Sequence, residues 1–278
     1  MLISAETLSQ NLQNPDWIVF DCRHDLVDHA LGERRYREGH IPGAHFAPVE
    51  TALTGKKTGK NGRHPLPEPA DFAAFLSHHG VTPKSTIVAY DDAGGMFAAR
   101  LWWLARWIGL ENVVVLDGGW PKWTAAGRLV SQEVSASVPA SPLEVRKNPS
   151  WVWSADDVLR HLDDEAFALV DARAPERYRG DSEPMDPVAG HIPGALNRFY
   201  KANLAADLTF RPAEELKREW KTLIGTRSPE QVVHQCGSGI TACANIFAME
   251  FAGLPGSKLY AGSWSEWVAD PARPVAKG

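Results

Sequence analysis

The segment Val232-Val233-His234-Gln235-Cys236-Gly237-Ser238-Gly239-Ile240-Thr241-Ala242 carries the clearest chemical pattern in the chain. A short apolar run leads into Cys236, a Gly-x-Gly turn follows, and a helical pattern starts near Thr241. Ligands of open α/β sheets bind beyond the carboxyl ends of strands. The glycines let the turn close with its backbone N–H groups converging on one point, and a helix N-terminus adds its positive end. Both effects favour a thiolate, the nucleophilic form of cysteine. A free thiol titrates near about 8.5 and helix-terminal ones between about 3.5 and 7.5. Lowering a pKa by about two favours the anion by about 2.7 kcal/mol. The other two cysteines lack this setting. Cys22 follows a strand pattern and Cys243 sits in an apolar helix, and both read as small buried hydrophobes. A phosphatase would need an Arg as the sixth residue after its Cys, and Ala242 stands there.

The elements that must position this loop occur twice. Phe20-Asp21-Cys22-Arg23 is echoed by Val170-Asp171-Ala172-Arg173, and Gly39-His40-Ile41-Pro42-Gly43-Ala44 by Gly190-His191-Ile192-Pro193-Gly194-Ala195. Gly118-Gly119-Trp120-Pro121-Lys122-Trp123 matches Gly262-Ser263-Trp264-Ser265-Glu266-Trp267 through Gly-x-Trp-x-x-Trp. The offsets are 150, 151 and 144 residues, so the chain is two copies of one unit. We place the first over 1–130 and the second over 151–278, joined by an extended linker, 131–150, rich in Ser, Val and Pro. Each copy alternates strands and helices. Trp17–Phe20, Thr86–Tyr90 and Val113–Leu116 are strand-like, as are Ala168–Val170, Gln231–His234 and Lys258–Tyr260. Met96–Ile108 and Thr241–Ala252 read as core helices, and Ser154 with Asp157 marks a helix start. The fold class is α/β, each copy a parallel sheet flanked by helices. The local offset of 144 pairs Cys236 with Asp92. An Asp has no thiol to act as nucleophile, so the first copy is expected to be catalytically inert.

Lys and Arg total 29 against 34 Asp and Glu, which leaves no basic bias for nucleic acid. No apolar run approaches the roughly 18 residues of a membrane span. The N-terminus lacks the pattern of a secretory signal, and three cysteines make no disulfide framework. The expected compartment is the reducing cytoplasm. No ligand cluster points to a metal or organic cofactor.

The paired Gly-His-Ile-Pro-Gly-Ala, the Cys236-Gly237-Ser238-Gly239-Ile240-Thr241 loop and the terminal Gly-x-Trp-x-x-Trp resemble the tandem-domain rhodaneses, which include thiosulfate and 3-mercaptopyruvate sulfurtransferases. The resemblance covers nearly the whole chain. It implies two rhodanese-like domains with only the second catalytic, and a persulfide on Cys236. Gly237, Gly239, Ile240 and Thr241 would line the donor sulfur. The loop is similar to that of mercaptopyruvate-using members, where thiosulfate-using ones carry basic residues after the Cys. In that subfamily a serine, here Ser238, works with a histidine and a carboxylate of the first domain, and the matching positions are His64 and Glu50. Arg177 matches a substrate-binding arginine. Arg179 reads as a solvated charge or a structural ion pair. Met185 stands where a second substrate arginine is usual, which implies a looser hold on the carboxylate. The implied reaction moves sulfur from 3-mercaptopyruvate to a thiol, such as thioredoxin or a low-molecular-weight thiol, or to cyanide. The alternatives are a thiosulfate:cyanide sulfurtransferase and a non-enzymatic binding module. The retained Cys236 loop argues against the module.

Overall fold

The short β-branched runs pair side by side, as buried parallel strands must when each is followed by a covering helix. In a computed structural model describing residues 1–278, the first sheet contains β1 (Leu2–Ile3), β2 (Trp17–Asp21), β3 (His45–Phe46), β4 (Thr86–Tyr90) and β5 (Val113–Leu116), in the order β1-β5-β4-β2-β3. The second contains β6 (Val152–Trp153), β7 (Ala168–Asp171), β8 (Leu196–Asn197), β9 (Val232–Gln235) and β10 (Lys258–Tyr260), in the order β6-β10-β9-β7-β8. Every pairing is parallel, and the two orders are the same topology. The helices Met96–Trp107 and Thr241–Phe251 are buried along most of their length, as their apolar composition requires. Ser154 and Asp157 close a reciprocal capping box at the helix Ala155–Arg160.

The three repeated motifs prove to be one brace. In the first unit, Arg23 Nη2 bonds Asp21 Oδ2 at 2.6 Å and Gly39 O at 2.6 Å, and its guanidinium lies 4.4 Å over the Trp120 ring. In the second, Arg173 Nη2 reaches Asp171 at 2.7 Å and Gly190 O at 2.7 Å, over Trp264 at 4.7 Å. These buried charges are paired and hydrogen-bonded, the condition under which burial is tolerated. The His-Ile-Pro-Gly histidines join the brace. His40 stacks on Tyr36 and His191 on Tyr178. Asp-x-Arg, Gly-His-Ile-Pro-Gly and Gly-x-Trp-x-x-Trp therefore recur because they hold strand, turn and terminal helix together, not because they do chemistry.

The compact units are interleaved in sequence, whereas the repeat alone implies contiguous blocks. The first comprises Met1–Gly55, Pro67–Asn148 and Ala205–Phe210, the second Lys56–Leu66, Pro149–Leu204 and Arg211–Gly278. Segment 131–148 has no helix or regular strand, but it is docked on the rest of the first unit. Ser131 bridges His40, Ala140 N–H donates to Ser77 O at 2.8 Å, and Arg146 N–H donates to Ile108 O at 2.9 Å. Composition shows that such a segment lacks a helical period. It does not show that its backbone groups find partners on a neighbouring surface.

Candidate active site

β9 ends at Gln235, and Cys236 is the first residue past its carboxyl end. Cys236 is 2% exposed, and its Sγ accepts the Gly239 N–H at 3.1 Å. Its own N–H donates to Ser263 Oγ at 3.1 Å, and Ser263 donates onward to Tyr260 O at 3.0 Å. Cys236 O accepts from Trp264 N at 3.0 Å, and Gly237 O from Ser265 N at 3.0 Å. The loop is thus pinned by the turn after β10. Gly239 has φ of 83°, and a Cβ there would collide with Ala261 O, so only glycine fits. Ile240 precedes the helix, and Thr241 is its first residue.

The loop presents Ser238 to His64, with Oγ and Nδ1 2.7 Å apart and both residues buried. His64 precedes β4 in sequence, yet its segment, Lys56–Leu66, packs in the second unit. Two guanidiniums close the other side. A Cβ on Gly237 would lie 2.9 Å from Arg63 Nη2 and 3.5 Å from both Arg177 terminal nitrogens. The family resemblance points to Arg177. It does not point to Arg63, although that residue directly precedes His64 and its N–H is held by Ser265 Oγ at 3.0 Å. Asp186 bonds both arginines, through Arg63 Nη1 and, at 3.3 Å, through Arg177 Nη2. Glu183 holds Arg177 at 2.6 Å. Arg179 is half exposed and pairs with Asp181, and Met185 lies between Glu183 and Asp186, which do the pairing. Glu50 lies in the first unit, its Oε1 3.5 Å from His24 Nε2 and 3.9 Å from His29 Nε2.

The first unit contains the same loop, plugged. Strand register pairs Asp21 with Tyr90 and Asp171 with Gln235. The residue after β4, Asp91, is therefore the counterpart of Cys236, and Asp92, to which the motif offset points, is one residue too far. Trp120 N donates to Asp91 O at 2.8 Å just as Trp264 N donates to Cys236 O. The Asp91 carboxylate is buried and accepts four backbone N–H groups, from Ala93, Gly95, Phe97 and Ala98, at 2.8–2.9 Å. The first-unit loop thus cradles an acidic side chain of its own, which burial raises above the ordinary carboxylate range against the pull of those four amides. Asp92 pairs with Arg35 at 2.8 Å instead. The remaining cysteines are both free and buried. Cys22 is fully buried, and burial, with Asp91 and Asp21 adding to it, raises its thiol well above the ordinary value. Cys243 donates to Gly239 O at 3.3 Å from inside its helix.

Residues 4–126 and 154–270 each match the rhodanese-like domain. The chain is 46% identical over 279 residues to a Pseudomonas aeruginosa protein named a probable 3-mercaptopyruvate sulfurtransferase, covering 100% of this chain and 98% of that protein. It is 31% identical over 288 residues to the thiosulfate sulfurtransferase of Rattus norvegicus, covering 100% of this chain and 95% of that one. The structure superposes on the 3-mercaptopyruvate sulfurtransferase of Leishmania major with a TM-score of 0.85 and 28% identity, over 96% of this chain and 74% of that one. No helix is long and apolar enough to cross a membrane.

Proposed function

The chain belongs to the rhodanese family and is a sulfurtransferase, and from that premise we propose that Cys236 carries sulfur as a persulfide between 3-mercaptopyruvate and a thiol acceptor. The observation that carries this reading is the convergence on one loop of three groups: the Cys236 sulfur in contact with a loop N–H, the Ser238–His64 pair, and the guanidiniums of Arg63 and Arg177.

The Cys236 thiolate attacks the donor sulfur. The S–S bond forms, the C–S bond breaks, and its electron pair leaves on the pyruvate enolate. The donor's thiol proton passes to the Ser238–His64 pair, which delivers it to the enolate carbon and so yields pyruvate. Arg63 and Arg177 hold the donor carboxylate as charge-assisted partners, so Arg63 supplies the second guanidinium that Met185 does not. Gly237, Gly239, Ile240 and Thr241 line the persulfide, whose negative terminal sulfur the loop N–H groups stabilise. The plugged loop of the first unit supports this, because there four amides already converge on one carboxyl group. An acceptor thiol, such as thioredoxin or a small thiol in a reducing cytoplasm, then attacks the terminal sulfur and regenerates the thiolate. Cyanide would leave as thiocyanate. Glu50 is assigned to the Ser238–His64 set on resemblance alone.

Thiosulfate is the second donor to consider, since a relative bears its name. The loop lacks a cation at Ser238 to hold a dianion, which favours mercaptopyruvate. Steady-state kinetics with both donors under identical conditions test this. The expected result is a higher kcat/KM for mercaptopyruvate, and a higher value for thiosulfate reverses the donor assignment.

A further inference from the structure

Asp186 and Glu183 occupy a place that neither the sulfur chemistry nor donor binding explains. Both side chains are almost fully buried, at 3% and 2% exposure, while the arginines they hold remain partly open at 27% for Arg63 and 18% for Arg177. Glu183 is shared between Arg173 Nη1 at 3.2 Å and Arg177 Nη2 at 2.6 Å, and its Oε1 also accepts the N–H groups of Met185 at 3.0 Å and Asp186 at 3.2 Å. That turn aims Asp186 between the two arginines flanking Gly237. Burial, with Glu183 adding to it, holds the Asp186 carboxyl above its ordinary range, and Arg63 and Arg177 offset only part of that. Arg63, Arg173 and Arg177 are thus balanced by Asp171, Glu183 and Asp186. Two forks are aimed at the donor site, and apart from the Cys236 thiolate its fixed charges cancel.

Resting on the donor reading above, we propose that Asp186 is a specificity-determining residue: its carboxylate cancels one unit of positive charge behind Arg63 and Arg177, so that the site takes a monoanionic sulfur donor and rejects a dianionic one. The guanidiniums still supply directed N–H groups for a single carboxylate. A dianion brings a second negative charge toward a site whose arginine charge is already cancelled, and Asp186 repels it. A unit charge about 6 Å away, at an effective dielectric of about 20, changes an equilibrium about a hundred-fold. Specificity here comes from a repulsive element built behind attractive ones.

The test compares kcat/KM for 3-mercaptopyruvate and thiosulfate in the full-length chain, wild type against Asp186→Asn and Asp186→Glu. Asp186→Asn keeps the shape and removes the charge, and the preference should move toward thiosulfate by about ten- to a hundred-fold. Asp186→Glu keeps the charge and should hold the ratio within about three-fold. A structural role alone lowers both donors together and leaves the ratio unchanged, which overturns the proposal. Glu183→Gln removes charge from the same cluster and should move the ratio in the same direction, so a misfolded Asp186→Asn protein leaves this arm to decide. A wild type that does not turn over mercaptopyruvate sinks the donor reading separately, and the gain or absence of gain for thiosulfate in Asp186→Asn then decides the role of Asp186.

Discussion

Replacing Asp91 with Ala should destabilise the first unit far more than the same change at Asp92. The Asp91 carboxylate is the acceptor for four backbone N–H groups in a buried loop, at 2.8–2.9 Å. A buried donor left without an acceptor costs about 1–3 kcal/mol. Even at the low end, with no relaxation, four donors sum to about 4 kcal/mol. That is a large fraction of the roughly 5–15 kcal/mol of a folded domain. Asp91→Asn keeps one acceptor oxygen and turns an amide against two donors, so it should fall between wild type and Ala. Asp92 makes one partly exposed ion pair with Arg35, a contact worth about 0–1 kcal/mol. Urea denaturation gives the free energies, and hydrogen exchange at Ala93, Gly95, Phe97 and Ala98 gives the local readout. If Asp91→Ala is no more destabilised than Asp92→Ala, the loop is not held by its own carboxylate and the plugged-site account of the first unit is wrong.

Ser238→Ala should lower kcat with mercaptopyruvate by about a hundred-fold, the usual scale of lost acid–base catalysis, while leaving thiosulfate turnover nearly intact. His64→Ala added to it should cost little more, since the two act as a pair across 2.7 Å. Equal losses for both donors in steady-state assays would contradict the proton-delivery role. His234, on the strand that leads to Cys236, gives the chain a pH signature in its stability. It is fully buried against Trp220, and burial lowers its pKa from 6.5 to about 3. The folded protein keeps it neutral while the unfolded chain binds a proton, so its contribution is complete above pH 6.5 and is lost as pH falls toward 3. Between about pH 7 and pH 5 the loss should be about 2 kcal/mol. His234→Leu should flatten that part of the urea midpoint curve, and an unchanged slope would exclude it as the source.

Much of the fold is legible in the sequence because its central strands are continuous apolar runs. Thr86–Tyr90 and Val113–Leu116 appear with the bounds expected from their β-branched content. The edge strands Leu2–Ile3 and His45–Phe46 are two residues long, too short for any period to register. The loop around Cys236 is visible because its chemistry is local in sequence. The arginine pair is only half visible. Arg177 lies near a repeated motif, whereas Arg63 reaches the loop through the packing of Lys56–Leu66 in the second unit, a long-range event with no local pattern. Counting offsets between motifs puts the Cys236 counterpart at Asp92. Strand register places it at Asp91, because the loops between motifs differ in length and only hydrogen bonding aligns them residue by residue.

The central claim is that sulfur resides on Cys236. Intact-protein mass spectrometry after treatment with 3-mercaptopyruvate, followed by peptide mapping without reductant, tests it directly. One added sulfur atom per chain is expected, on the peptide containing Cys236, absent in Cys236→Ser and retained in Cys22→Ser and Cys243→Ala. Sulfur found on Cys22 or Cys243, or uptake that survives Cys236→Ser, would contradict it.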